Sequence, residues 1–155
     1  THVADYQARV AEHSLLDEGE PARADYRVVP WVTYTSPELA RVGLTEEEAR
    51  AGGYDVVTGT MPFAEVPRAI TLDEPTGLVK LVVDRAERAV LGCHILGAHA
   101  GDLIAEAATV MERRIPVDAI AETIHPYPTL SEGVFWAAFE VVHDLLDTAQ
   151  AYLAR

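Results

Sequence analysis

The most restrictive feature of this sequence is a segment near its C-terminus that is apolar around most of a helix. The pattern predicts a helix over about residues 130–153, and within it residues 134–142, VFWAAFEVV, present apolar groups on almost every side. Such a helix must be covered nearly all round, and a small domain offers it one sheet face. The surplus apolar surface therefore predicts a partner subunit or domain, and we expect a homodimer.

The composition is that of a globular domain with an excess of acidic groups. The 155 residues include 25 Asp and Glu against 12 Lys and Arg, a formal charge of −13. This charge makes nucleic acid and anionic membranes poor partners. No apolar run approaches the roughly 20 residues of a membrane helix, and the N-terminus has no signal pattern, so we expect a cytoplasmic protein. A single cysteine, Cys93, excludes an intramolecular disulfide and a cysteine metal site.

The order of hydrophobic patterns predicts an α+β fold, with an antiparallel sheet, helices packed on one of its faces and a short helix in front. The strands are expected at 26–35, 54–63, 78–84 and 89–96, the last two forming a hairpin. The helices are expected at 4–16, 46–50, 102–114, 116–123 and 130–153. Thr45 and Glu48 are spaced as a capping box for the second helix. The polar residues 17–25 are predicted to be a linker.

The densest group of special residues is the segment 125–132, HPYPTLSE. Two prolines restrict the backbone on either side of Tyr127, and a rigid turn of this kind often presents a polar group to a ligand. Each candidate also has a structural alternative. His125 could be a histidine packed in a turn, Tyr127 a buried phenol with one hydrogen-bond partner, and Glu132 the capping-box partner of Thr129.

The remaining candidates favour structural roles. His94 and His99 have a spacing that suits neither one strand face nor one helix face, which argues against a metal site. The segment Gly97–Gly101 precedes a helix as phosphate-binding turns do, but it lacks a lysine and carries Asp102, so helix capping is favoured. Cys93 alternates with apolar strand residues, which predicts a buried, unreactive thiol.

Three blocks of sequence, in order, carry a resemblance to a known family. The first block is 34–46, YTSPELARVGLTE. The second is 77–81, GLVKL, followed by 91–97, LGCHILG, and 101–104, GDLI. The third is 125–132, HPYPTLSE. Together they resemble the C-terminal dimerisation domain of the FAD-dependent pyridine nucleotide–disulfide oxidoreductases over about residues 26–147.

The resemblance implies roles for residues of the closing block. Dihydrolipoamide dehydrogenase and glutathione reductase place a proton-transferring histidine immediately before the Pro-Thr of this block, and a later glutamate orients it. Here that position is Tyr127, with His125 two residues earlier and Glu132 as the glutamate. A phenol is a poor general base at neutral pH. Mercuric reductases, which carry a tyrosine there, resemble the chain better, although residues 144–155 lack their C-terminal cysteine pair.

The resemblance also implies a larger enzyme. Residues 1–25 resemble the last helix of the family's FAD domain with a linker, and 26–155 would be the dimerisation domain. FAD and NAD(P)H would belong to the full-length enzyme, with Pro128 near the partner's flavin, and we expect this chain alone to bind no flavin tightly and to be inactive. The chain would lend Tyr127, Glu132 and His125 to the partner's redox-disulfide site. The alternative is a stand-alone, non-catalytic dimerisation or binding module.

Overall fold

The centre of the fold is a five-stranded antiparallel sheet; the computed structural model describes residues 1–16 and 20–153. The strands are β1 (Trp31–Thr33), β2 (Glu38–Gly43), β3 (Val56–Pro62), β4 (Leu78–Asp84) and β5 (Val90–Gly97), in the spatial order β1-β2-β5-β4-β3. The helices are α1 (His2–Leu16), α2 (Glu46–Ala51), α3 (Pro67–Thr71), α4 (Ala100–Glu112), α5 (Asp118–Glu122) and α6 (Glu132–Leu153), and a 3-10 turn spans Phe63–Glu65. The predicted α+β class is confirmed.

The predicted hairpin is the middle of this sheet. β4 has the predicted bounds, and β5 is shifted by one residue, with Leu81 opposite Cys93 in the register. Alternate residues of β4, including Val79 and Leu81, enter the main core, while Val82 joins a second cluster on the opposite face. Because successive side chains of a strand point to opposite faces of the sheet, β4 contributes to one hydrophobic cluster on each face.

One face is covered by the long helices. α4 lies on β2 and β5, α6 lies on β3 and β4, and α5 packs against α6. The approach of α6 is close enough to require a glycine, since a Cβ on Gly59 would lie 2.0 Å from the carbonyl oxygen of Ala137. None of the described helices combines the length and apolarity needed to cross a membrane.

The opposite face receives the short helix α2. Its predicted capping box is present, because Thr45 Oγ1 accepts from the Glu48 N–H at 3.1 Å and Glu48 Oε2 accepts from the Thr45 N–H at 2.8 Å. Ala49 is fully buried and packs with Val56 and Val82. A strong local signal thus fixed the position of a helix only six residues long.

The prediction of one strand over 26–35 is wrong. Only Trp31–Thr33 is a strand, and the next one, Glu38–Gly43, begins after Pro37. Pro30 lacks an N–H and immediately precedes β1, so pairing cannot run through it. The strand β2 was missed, although Ala40 and Val42 are buried between exposed Leu39 and Arg41, as a sheet with one covered face requires.

The N-terminal helix is present as predicted but is weakly attached. None of its residues is buried, and Leu15 and Leu16 are 82% and 74% exposed. It is joined to the following chain by polar contacts, from His2 Nε2 to the Pro30 carbonyl at 2.9 Å and from Gln7 Nε2 to the Tyr26 hydroxyl at 2.8 Å. Residues 17–19 of the predicted linker lie outside the described residues.

Candidate functional site

The segment 123–131 forms a compact turn between α5 and α6. Thr129 closes it, since its hydroxyl donates to the Pro126 carbonyl at 2.7 Å and lies 2.8 Å from the Ser131 hydroxyl. The Tyr127–Pro128 peptide bond is cis. Short side-chain-to-backbone bonds of this kind hold a turn without help from regular secondary structure.

Glu132 stands at the start of α6 and is 6% exposed. Its Oε2 accepts from the backbone N–H of Thr129 at 3.1 Å, which is half of the predicted capping box. The other half is missing, because the Thr129 hydroxyl is directed to Pro126 and Ser131 instead. The Glu132 carboxyl therefore ties the helix to the turn while also facing the groove beside it.

Tyr127 and Glu132 share one open groove between α6 and the edge strand β3. Its walls are formed by Thr60, Met61, Pro62, Glu65, Pro67, Tyr127, Glu132, Trp136, Phe139, Glu140 and His143. Tyr127 is 73% exposed, which excludes the structural alternative of a buried phenol. The two residues meet because the turn and the first turns of α6 lie on the same side of the domain.

His125 is turned away from that groove. Its side chain is 8% exposed, and its Nδ1 donates to the Thr123 carbonyl at 2.8 Å. Nε2 lies 2.9 Å from Glu106 Oε1 on α4, and the ring contacts Phe135 with centroids 5.2 Å apart. The structure thus brings Tyr127 and Glu132 together and separates His125 from them. Pro128 is exposed on the same turn but does not line the groove.

An exposed apolar stripe on α6 continues from the groove. Trp136, Phe139 and Leu146 are 40%, 45% and 52% exposed, and the first two rings meet edge to face with centroids 5.6 Å apart. The opposite side of the helix is fully packed, with Val134, Ala137 and Val141 completely buried. The surplus apolar surface expected from the sequence is therefore real, and it is a stripe that begins beside Tyr127.

Two carboxylates of the groove were missed from the sequence. Glu65 follows β3, and Glu140 lies on α6, where its Oε2 accepts from the Thr60 N–H on the open edge of β3 at 2.5 Å. Thr60 and Glu140 are 80 residues apart, so no local pattern links them. The signal in the sequence was the proline that ends β3, because proline favours edge strands. An edge strand leaves backbone N–H donors unpaired, and a side chain such as that of Glu140 can bind one of them.

The other candidates make structural contacts. His94 Nε2 lies 3.0 Å from the Leu44 carbonyl, and no group of His, Cys, Asp and Glu among the described residues is arranged to hold a metal ion. Cys93 is fully buried, and this burial raises the pKa of its thiol to about 12.

The N-terminus of α4 is already occupied by a side chain of the protein. His99 is the cap residue, but its side chain makes no capping bond, and Glu38 Oε2 on β2 accepts from the Gly101 N–H at 2.9 Å. The helix starts two residues earlier than predicted, at Ala100. The segment Gly97–Gly101 is thus part of a cap whose carboxylate comes from a distant strand.

Comparison with known proteins identifies the domain. The model of the family "Pyridine nucleotide-disulphide oxidoreductase, dimerisation domain" matches residues 29–138. The chain belongs to this family. Its curated relatives include a dihydrolipoyl dehydrogenase of Thermus scotoductus. The two are 49% identical over 125 residues, which cover 81% of this chain and 27% of the relative. A mercuric reductase of Lysinibacillus sphaericus is 41% identical over 144 residues, covering 93% of this chain and 26% of the relative.

Solved structures of related enzymes contain the same dimerisation-domain fold. The HOCl-induced flavoprotein disulfide reductase RclA from Escherichia coli superposes with a TM-score of 0.85 at 30% identity, covering 90% of this chain and 32% of that protein. The chain spans between 26% and 30% of the length of the curated relatives. The family resemblance drawn from the three sequence blocks is therefore confirmed, at the level of one domain of larger enzymes.

Proposed function

We propose that this chain is the dimerisation domain of an FAD- and NAD(P)H-dependent oxidoreductase, similar to mercuric reductase or dihydrolipoamide dehydrogenase, and that it acts as a homodimer. The observation that carries the proposal is the continuity between the groove and the exposed stripe of α6. Tyr127 and Glu132 stand at one end of an apolar surface that requires a cover. A second subunit seated on the stripe would place its own groups beside these two side chains.

The assignment of roles within the groove follows from the chemistry of each group. Tyr127 carries a hydroxyl that donates a hydrogen bond without becoming charged, which suits a thiolate or a thiolate-bound soft metal in the partner's redox site. Glu132 fixes the turn that carries Tyr127 and presents its carboxyl to the same space. His125 supports the turn from the side of α4 and does not line the groove.

The groove does not fit a whole FAD. Its lining includes the carboxyl groups of Glu65, Glu132 and Glu140 and no lysine or arginine, whereas a pyrophosphate is bound by cations or by backbone N–H groups at a helix N-terminus. The proposal therefore assigns the flavin and the nicotinamide to the parts of the enzyme outside this chain. Pro128, exposed on the turn, would lie near the partner's flavin.

We assign residues 1–25 to the preceding FAD domain and 26–155 to the dimerisation domain. Three observations support this boundary. α1 buries none of its residues against the sheet domain, its Leu15 and Leu16 are exposed, and the family match begins at residue 29. A helix that leaves its apolar residues uncovered is expected to pack on another part of the same enzyme.

The test compares single substitutions in the full-length enzyme. Tyr127→Phe should lower turnover with the natural acceptor by about tenfold, since it removes one hydrogen-bond donor, and should leave reduction of the flavin by NAD(P)H nearly unchanged. Tyr34→Phe is the matched control, because Tyr34 is 80% exposed and directly follows β1, at the opposite edge of the sheet from β3, on which α6 packs. His125→Ala should lower the melting temperature, and it should lower turnover no further than Tyr127→Phe does, because His125 acts only by supporting the turn. A silent Tyr127→Phe together with an inactive, fully folded His125→Ala would reverse the assignment.

A further inference from the structure

A second layer of residues lies behind the turn that carries Tyr127. The imidazole of His125 bridges two elements, with Nδ1 at 2.8 Å from the Thr123 carbonyl and Nε2 at 2.9 Å from Glu106 Oε1. Glu106 lies on α4, whereas Thr123 caps the C-terminus of α5. This side-chain bridge connects the base of the turn to a helix that is distant in the chain.

The hydrogen-bond pattern of the bridge is fixed by its partners. A backbone carbonyl can only accept, so Nδ1 must carry a proton. The Glu106 carboxyl and Nε2 then share one further proton, so the 2.9 Å contact between them is a hydrogen bond. The His125 side chain is 8% exposed, so water can replace neither partner easily.

α4 is a firm anchor for such a bridge. Its Ile104 and Ala107, on either side of Glu106, are buried at 2% and 0% exposure against the sheet. The turn, in contrast, carries exposed Pro126, Tyr127 and Pro128. The phenol at 73% exposure has little packing of its own, so its position depends on how the turn is held at each end.

We propose that Glu106 is a positioning residue for Tyr127 and acts through His125. Glu132 and Thr129 hold the turn on its α6 side, and the Glu106–His125 bond holds it on its α4 side. This inference rests on the proposed role of Tyr127 in the partner's redox site. It gives a functional role to the carboxyl group of Glu106, which lies outside the groove.

The experiment is a double-mutant cycle on turnover in the full-length enzyme. Glu106→Ala should lower kcat with the acceptor by about tenfold, as expected when a reacting group is misplaced, and the combination with Tyr127→Phe should be no slower than Tyr127→Phe alone. Glu106→Gln should retain most of the turnover, because its amide can donate to Nε2 of a neutral ring. Glu112→Ala, an exposed substitution on the same helix, is the control.

The outcomes separate the two proposals. If the effects of Glu106→Ala and Tyr127→Phe multiply, or if Glu106→Ala and Glu106→Gln lose turnover equally, the positioning role is overturned while the role of Tyr127 stands. If Tyr127→Phe is silent, the proposed function fails and the positioning role fails with it. Should Glu106→Ala not fold, Glu106→Asp, whose shorter side chain withdraws the carboxyl from the ring, completes the same cycle.

Discussion

His125 and Tyr127, separated in the chain by one proline, occupy opposite environments. The His125 side chain is 8% exposed and bound on both ring nitrogens, whereas Tyr127 is 73% exposed at the mouth of a groove. Rotation of the backbone between them directs one ring toward α4 and the other toward solvent. This division separates the residue that supports the turn from the residue that the turn presents.

If the exposed stripe of α6 forms the interface of the proposed homodimer, a charge placed on it should break that dimer. Phe139→Glu should convert the dimer to a monomer at micromolar concentration, because a carboxylate would be buried without a partner in the interface. Sedimentation velocity measures this directly. Trp31→Glu is the matched control, since Trp31 is 62% exposed on β1 at the other end of the sheet. An unchanged dimer with Phe139→Glu would exclude the stripe as the interface.

Glu132 and Glu48 make the same backbone contact at two helix starts, which allows capping to be separated from function. Glu132→Ala and Glu48→Ala should each lower the free energy of unfolding by about 1 kcal/mol, as loss of a cap does. Only Glu132→Ala should also reduce turnover of the full-length enzyme severely. Denaturant titrations and steady-state kinetics of both variants check this. Equal kinetic behaviour of the two variants would leave Glu132 with a capping role alone.

The parts of the fold that were predictable carry local signals. The hairpin of β4 and β5 shows in two apolar runs around a polar turn, and α2 shows in the spacing of Thr45 and Glu48. β2 was missed because its strand signal is weak. Its buried positions hold the small residues Ala40 and Val42, its exposed positions hold Leu39 and Arg41, and Pro37 precedes it.

The arrangement of the site was predictable only in part. Tyr127 and Glu132 are five residues apart, so one motif contains both. The contacts that complete the site join distant segments, as with His125 to Glu106 across 19 residues and Thr60 to Glu140 across 80 residues. Such pairs are decided by how α4 and α6 pack on the sheet, and a single sequence contains no local record of that packing.

Cys93 should be inert in the folded chain. Burial raises the pKa of its thiol to about 12, so about one molecule in ten thousand would carry the reactive thiolate at pH 8. A thiol reagent such as iodoacetamide should label it only after unfolding by urea, as followed by mass spectrometry. The unfolded chain, with the same single cysteine, serves as the control. Rapid stoichiometric labelling of the folded chain would contradict the burial of Cys93 beneath α4.

The pair of Arg88 and Asp118 predicts a specific acid sensitivity. The Arg88 guanidinium donates two hydrogen bonds to the Asp118 carboxylate and lowers its pKa below the usual 3.8. A lowered folded-state pKa gives stability that is fully present above pH 3.8 and is lost as the pH falls through the folded value. Asp118→Asn should therefore flatten this part of the curve of unfolding free energy against pH. An unchanged slope below pH 4 in urea titrations would exclude the pair as its source.

Mixed dimers would show whether Tyr127 acts in the site of the partner subunit. One subunit carries Tyr127→Ala, and the other carries serine in place of the redox cysteines that the proposed full-length enzyme would hold outside this chain; each homodimer alone should be nearly inactive. If Tyr127 acts across the interface, the mixed dimer contains one complete site and should recover about half of the wild-type turnover. Turnover no greater than that of the two inactive homodimers would contradict the claim.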